Sequence, residues 1–231
     1  MLFTPVRMTN HLIAGLPSTE RNEFLARCET VALVFGDSLC EPGQPFQYVY
    51  FPLTGFISLM IKIDGHQPLE VGRIGETLAL GVNAAPLHAV VQGAGTALRM
   101  TAAQFQRELR DSRSLLSILN RYLYVLMAQL SQAGACIHFH EIKPRLVRWL
   151  LMTHDRAHTD HFHLTHEYLA NMLGVRRSSI TIAAGVLQKK KLISYNRGDI
   201  SILDREGLEA AFCECYDAMK GYYAKLFMSL G

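Results

Sequence analysis

The stretch LTHEYLANMLGVRRSSITIAAGVLQKKKLI, residues 164–193, carries the pattern that decides the fold of the C-terminal third. Thr165 precedes a short apolar repeat and is a residue type that caps a helix through its hydroxyl. Gly174 then permits a sharp turn that a residue with a side chain would resist. A second amphipathic repeat follows at about residues 177–189. The sequence therefore predicts a helix-turn-helix.

The second predicted helix has one apolar and one polar side. Ile180 and Leu187 lie on the apolar side, whereas Arg177, Ser178 and Thr181 turn outward. The N-terminal end of such a helix enters the major groove, where Arg pairs with guanine and hydroxyl groups bond to bases or phosphates. The polar side thus indicates DNA binding.

A β-hairpin is predicted directly after this helix. LISYNRGDISIL, residues 192–203, alternates apolar and polar residues on both sides of a turn with a basic tip at Arg197, which would reach backbone phosphate. Such a hairpin is the wing of a winged helix. The full set of predicted DNA contacts is Thr165, His166, Arg176, Arg177, Ser178, Ser179, Thr181 and Arg197. Among these, we expect Arg177, Ser178 and Thr181 to contact bases, and Thr165, Arg176 and Arg197 to position the backbone.

The positive charge is concentrated in the same region. Residues 1–139 carry ten basic and ten acidic side chains, whereas residues 140–231 carry thirteen and ten. Between residues 168 and 198 six basic side chains meet no acidic one. Such a local field suits a polyanion, although a solvated basic face would have the same composition.

The upstream half has a different character. Residues 29–100 form short β-like runs separated by Gly, Pro or Asp, which is typical of a β-barrel, sandwich or roll. From Thr101 the period becomes helical, with one short helix and then a long one over about 112–138. A domain boundary close to Phe139 would give domains at 1–139 and 140–231.

The predicted long helix carries an apolar repeat of the kind that packs against a partner helix. Leu115, Leu119, Tyr122 and Leu126 recur at alternating spacings of four and three. Packing against the β-domain explains some of these residues but does not need so long a helix. A homodimer through this helix is therefore the favoured interpretation.

Composition excludes several classes of protein. The most apolar stretch is interrupted by polar residues and predicts no membrane span, and the N-terminus has no secretory segment, so we expect a cytoplasmic protein. The five cysteines are scattered without a CxxC pair, which indicates reduced thiols and no standard metal site. Cys213 and Cys215, taken as helical, would point to different faces and serve in packing.

The motifs LTHEYLANMLGVRR, VLQKKKLI and RGDISILDREGLE resemble the C-terminal domain of the Crp/Fnr family of bacterial transcription regulators. The order of elements is similar along nearly the whole chain. The resemblance implies an α+β fold with an N-terminal cyclic-nucleotide-binding-like β-roll, a long dimerisation helix and a C-terminal winged helix-turn-helix. It also implies a homodimer on a two-fold operator and contact with RNA polymerase. Many members have an acidic residue where this chain has Ser178, and an Arg where it has Ile182. We therefore expect an operator that differs from the sequence best known for the family.

The effector of such a regulator is the open question. Gly75 and Glu76 resemble the start of the family's phosphate-binding cassette, and His88 is a further candidate contact. However, no Arg lies between Arg73 and Arg99 to neutralise a cyclic phosphate. We therefore expect an effector other than cyclic AMP and predict no cofactor.

Other functions remain as alternatives. One is a winged-helix protein-interaction module, and another is a metal- or redox-responsive regulator, since five histidines fall within residues 154–166. His154 and His158 would share a helix face, yet surface histidines in a loop are the favoured interpretation and no metal site is predicted. An enzyme with Cys136 as nucleophile and His138 or His140 as base is disfavoured, because no phosphate loop or nucleophile elbow accompanies these residues.

Overall fold

The computed structural model describes residues 10–65, 68–74, 85, 87–157 and 159–227. By its contacts the chain divides into two compact units, one of Met1–Ile57, Ile74–Leu126 and Tyr223–Gly231, the other of Ser58–Arg73 and Met127–Tyr222. The division into domains at 1–139 and 140–231 stays a prediction. The helices are α1 (His11–Ala14), α2 (Ser18–Ala26), α3 (Ala102–Asp111), α4 (Arg113–Phe139), α5 (Ile142–Ala157), α6 (His166–Leu173), α7 (Arg177–Lys189), α8 (Arg205–Glu209) and α9 (Cys215–Phe227). The strands are β1 (Glu29–Leu33), β2 (Ser38–Cys40), β3 (Tyr48–Pro52), β4 (Phe56–Ile61), β5 (Leu69–Ile74), β6 (His88–Gly93), β7 (Gly95–Thr101), β8 (His161–His163), β9 (Ile193–Asn196) and β10 (Asp199–Ile202).

The strands of the upstream half form two sheets. One has the order β1-β7-β3 and the other β2-β6-β4-β5, so sequence neighbours are often not sheet neighbours. β7 pairs antiparallel with both β1 and β3, with Arg99 opposite Glu29 on one side and opposite Tyr50 on the other. The prediction of short strands followed by helices is confirmed.

Aromatic side chains fill the core of this part of the chain. Phe51 of β3 meets Phe24 of α2 edge to face, with ring centroids 5.2 Å apart, and Phe105 of α3 at 5.8 Å. Thr101 caps α3 in a reciprocal capping box with Gln104, as the predicted helix start requires.

The prediction of a long helix over about 112–138 is confirmed by α4. The predicted use of its apolar repeat as the contact face for a partner helix needs a correction. Leu115, Leu119, Tyr122 and Leu126 are all at most 5% exposed, so the chain's own residues cover them and they do not form a free face. Leu116, Tyr124 and Met127 form a different, exposed stripe of α4, and Ile137 and Phe139 are exposed near its C-terminal end.

The C-terminal part is built on α5. Its residues Leu146, Trp149 and Leu150 are at most 2% exposed and form the base on which the later helices pack. Pro144 lies in the first turn of α5, where its missing N–H leaves no helical bond unmade. A three-stranded sheet of order β8-β10-β9 completes this part. The sequence predicted β9 and β10 but not β8.

Within the described ranges, no helix is both long enough and apolar enough to cross a membrane.

Candidate nucleic-acid interface

The helix-turn-helix predicted from sequence is formed by α6 and α7. Thr165 caps α6 by accepting a hydrogen bond of 3.1 Å from the backbone N–H of Tyr168. Gly174 ends α6 in the left-handed region at φ 63° and ψ 42°, which is the conformation the turn needs. Leu169 and Ile180 are fully buried and hold the two helices together. The predicted caps and turn of this motif are therefore confirmed.

Helix α7 exposes the side that the sequence assigned to DNA. Arg176, Arg177, Ser178 and Thr181 are exposed and Ser179 is half-buried. The cap residue Arg176 makes no side-chain hydrogen bond to the helix, as expected for a side chain that has no acceptor. A helix N-terminus of this kind attracts anions.

Ile182 also lies on the exposed side of α7. Its side chain is 69% exposed and does not pack inside the domain. A large aliphatic residue thus stands beside the polar groups of the same helix.

His166 has a different place from the other predicted contacts. Its ring is half-buried and stacks on the ring of Tyr195, with centroids 4.0 Å apart and planes 15° apart. Its Nδ1 lies 3.0 Å from the hydroxyl of Thr181, which itself donates to the backbone carbonyl of Arg177 at 3.1 Å. Because the single hydroxyl proton is used there, Nδ1 carries the proton shared with Thr181. His166 therefore connects α6, α7 and β9.

The environment keeps the His166 ring neutral. Burial lowers the pKa of His166 below its ordinary value, and the nearby positive charge of Arg177 lowers it further. A neutral ring avoids a second positive charge near Arg177.

The wing is a tight hairpin with Arg197 at its tip. β9 and β10 pair so that Asn196 lies opposite Asp199, which leaves Arg197 and Gly198 as the two turn residues. Both have positive φ, 48° and 95°, as a two-residue hairpin of type I′ requires. Arg197 is exposed. The predicted wing is confirmed.

The histidines near the motif have separate partners. His154 lies 2.6 Å from the carboxylate of Asp160, and His163 lies 2.8 Å from that of Asp199. His158 lies outside the described residues. The described members of this histidine cluster thus do not gather around one point.

The candidate effector residues are only partly described. Gly75 and Glu76 lie outside the described residues. His88 Nε2 lies 3.0 Å from the hydroxyl of Ser38 and 3.2 Å from the carboxylate of Glu41. A neighbouring carboxylate makes His88 a poor contact for a negatively charged ligand.

The cysteine interpretation needs a correction. Cys213 precedes α9 and Cys215 is the first residue of that helix, so the two thiols do not stand on different faces of one helix. Both are buried next to Cys136, and His140 completes the group. Beyond the four separate residues, no sequence signal indicated this cluster.

Comparison with known proteins agrees with this geometry. Residues 144–211 match the family model described as the Crp-like helix-turn-helix domain. The global nitrogen regulator of Nostoc sp. is 24% identical over 177 residues, which cover 70% of this chain and 79% of that protein.

Two solved structures share the fold. FixK2 from Bradyrhizobium japonicum has a TM-score of 0.68 at 12% identity over 80% of this chain and 98% of its own. A Crp/Fnr family transcriptional regulator from Thermus thermophilus has a TM-score of 0.66 at 20% identity over 79% of this chain and 97% of its own. The α+β fold with a β-rich N-terminal part and a C-terminal winged helix-turn-helix is therefore confirmed.

The domain match, the exposed basic helix and the wing define a DNA-binding transcription regulator. Within that class, the helix-turn-helix domain of the chain is of the Crp-like type. Regulators with this helix-turn-helix bind double-stranded DNA as dimers, and they are not enzymes.

Proposed function

We propose that the exposed side of α7 contacts base edges in the major groove of a two-fold operator. The observation that carries this proposal is the pairing of exposed Arg177 and Ser178 with fully buried Ile180 on one helix turn. Burial of one side fixes the helix on the domain and directs the polar side outward. The methyl group of Thr181 is then offered to the groove, because its hydroxyl already bonds within the chain.

Backbone contacts would come from the periphery of this helix. Thr165 lies at the N-terminus of α6, Arg176 at that of α7, and Arg197 at the tip of the wing. Phosphate contacts of this kind fix the register of the protein on DNA without selecting a sequence. Ser179, at the edge of the exposed surface, is a further phosphate contact. His166 acts indirectly, by holding Thr181 and the start of α7 in place.

Arg177→Ala tests the base contact. Wild type is first used to select its operator from genomic fragments, and binding to that operator and to random duplex is then compared. We expect the variant to lose about 1–3 kcal/mol of discrimination between the two, since a bidentate Arg–guanine pair contributes that much. Arg110→Ala removes another exposed arginine, from α3, and serves as control. Unchanged discrimination in Arg177→Ala would refute the base-contact role.

We infer that the dimer forms through the exposed stripe of α4. Tyr124 and Met127 are 64% and 67% exposed, and Gly134 leaves open space where a side chain would stand. Large apolar residues followed by a small one suit close packing of two helices.

Met127→Glu tests this interface, because a carboxylate buried at a helix seam is costly. We expect a shift from dimer to monomer in light scattering at micromolar concentration. Ala103→Glu adds the same charge to an exposed position of α3 and should leave the dimer intact. A dimeric Met127→Glu protein would exclude this stripe.

The effector we propose is not cyclic AMP, because the segment between Arg73 and Arg99 supplies no arginine for the phosphate and His88 faces a carboxylate. Native mass spectrometry of the purified dimer would show any retained small molecule. Contact with RNA polymerase and a place in the cytoplasm of a bacterial cell follow from the regulatory role and belong to the same proposal.

A further inference from the structure

Four potential ligand side chains meet at the C-terminal end of α4. Cys136 and His140 are four residues apart, and the His140 N–H still donates to the Cys136 carbonyl at 3.1 Å, so both side chains lie on one helical face. Cys213 and Cys215 approach from the start of α9. The four ligand atoms all lie within 4.8 Å of one another. The chain thus brings together three thiols and one imidazole.

Two of the six separations between the ligand atoms match those around a single ion. Cys136 Sγ lies 3.6 Å from Cys213 Sγ, and Cys215 Sγ lies 3.6 Å from His140 Nδ1. In a tetrahedral zinc site, bonds of about 2.3 Å to sulfur and about 2.05 Å to nitrogen place two sulfurs about 3.8 Å apart and sulfur and nitrogen about 3.6 Å apart. Both observed distances agree with these edges.

The neighbouring polar groups are arranged as around a bound metal. The Nε2 of His140 lies 3.2 Å from the carboxylate of Glu214, which favours a proton on Nε2 and leaves Nδ1 free toward Cys215. The amide of Gln132 donates to Cys215 Sγ at 3.2 Å. A carboxylate behind a ligating histidine and an N–H group on a ligating sulfur are usual second partners of such ligands.

Two buried positive charges act on the cluster and would be stabilised by an anion there. Arg145 and Arg148 are only 6% and 8% exposed, and their positive charges act on Cys136. Within the part of the chain that the structure describes, neither guanidinium has a carboxylate within 4.0 Å. Arg148 instead donates to the sulfurs of Met152 and Met219, each at 3.4 Å. Buried cations without an anion are costly.

A metal centre would supply this anion. Three thiolates and a neutral imidazole around a divalent ion carry a net charge of −1, which three neutral thiols do not. The burial of Cys136, Cys213 and Cys215 shields the site from solvent on one side. The exposed Glu214 lies on the side from which an ion would enter.

We propose that Cys136, His140, Cys213 and Cys215 bind one zinc ion, which joins the end of α4 to the start of α9. Four protein ligands leave no open position, so the site is structural. The ion stabilises the DNA-binding part of the chain by linking residues that are 73 or more positions apart in the sequence.

Metal titration of the full-length protein tests the proposal without DNA, so its result is independent of the DNA contacts proposed above. Reduced, chelator-treated protein is titrated with Co²⁺ and then with Zn²⁺. We expect one Co²⁺ per chain with the intense visible absorption of a tetrahedral thiolate site, and its displacement by one Zn²⁺. Elemental analysis of freshly purified protein should find zinc at close to one per chain.

Substitutions of single residues test which side chains bind the metal. Cys136→Ser and Cys213→Ser should abolish the Co²⁺ absorption, whereas Cys28→Ser, which removes a thiol outside the cluster, should leave it unchanged. Glu214→Gln is the safer variant for folding because that side chain is 80% exposed, and it should weaken binding about 10-fold or more.

Three outcomes would overturn the proposal. One is wild-type protein that binds no Co²⁺ while all five thiols react with a thiol reagent. Another is a Cys136–Cys213 disulfide in protein purified without reductant. The third is iron with the visible absorption of a cluster, which would replace the single ion.

Discussion

Removal of the charge at the wing tip tests how the protein holds the DNA backbone. Arg197 has a φ of 48°, and alanine also carries a Cβ, so Arg197→Ala removes the guanidinium with little change in the preference of the turn. Each neutralised phosphate contributes about 0.9 to the slope of log K against log salt. A dimer loses two contacts, and we expect the slope to fall by about 1.8.

The same contacts set the expected loss of affinity. At 0.1 M salt, a slope change of about 1.8 corresponds to roughly 60-fold weaker binding. The loss should be equal on operator and on random duplex, because phosphates carry no sequence information. Fluorescence anisotropy over a series of salt concentrations measures both quantities, and Arg197→Lys, which keeps the charge, is the control. An unchanged slope, or a loss confined to the operator, would contradict the phosphate contact.

Other substitutions address the stability of the motif. Thr165→Ala removes the acceptor for the Tyr168 N–H and should lower the free energy of unfolding by about 1 kcal/mol in urea, while Thr165→Ser should not. Ile180→Ala should cost about 2–5 kcal/mol and Ile180→Val about 0.5–1.5 kcal/mol, since Ile180 is fully buried; equal losses would contradict its packing role. The lowered pKa of His166 means that the unfolded chain takes up the proton first, so stability should fall as pH drops below 6.5 toward the folded-state pKa. In His166→Asn this part of the pH dependence should vanish, and an identical pH profile would show that His166 is not its source.

Local patterns were enough to predict much of this fold. Thr101 and Thr165 stand where helices begin, Gly174 where a turn needs positive φ, and the Arg197-Gly198 pair where a hairpin reverses. Each of these signals depends on residues that are close in sequence.

The errors concern contacts between distant segments. The repeat of Leu115 and Leu119 marks one face of α4 correctly, but periodicity does not say which surface covers that face, and the chain's own residues cover it. The cysteine cluster needs residues 136 and 213 to meet, which no local spacing reveals. The contacts of His166 with Tyr195 and Thr181 were likewise beyond local spacing, because these residues belong to other elements.

Exposed Ile182 has a consequence for the thermodynamics of DNA binding. Burial of a whole isoleucine side chain contributes about 1.5–3 kcal/mol, and this contribution does not depend on counterions. Contact of Ile182 with thymine methyl groups would therefore raise the affinity that persists at high salt and make the heat capacity change of binding more negative. With arginine instead of isoleucine at position 182, the contribution of this side chain to the binding free energy would depend on the salt concentration.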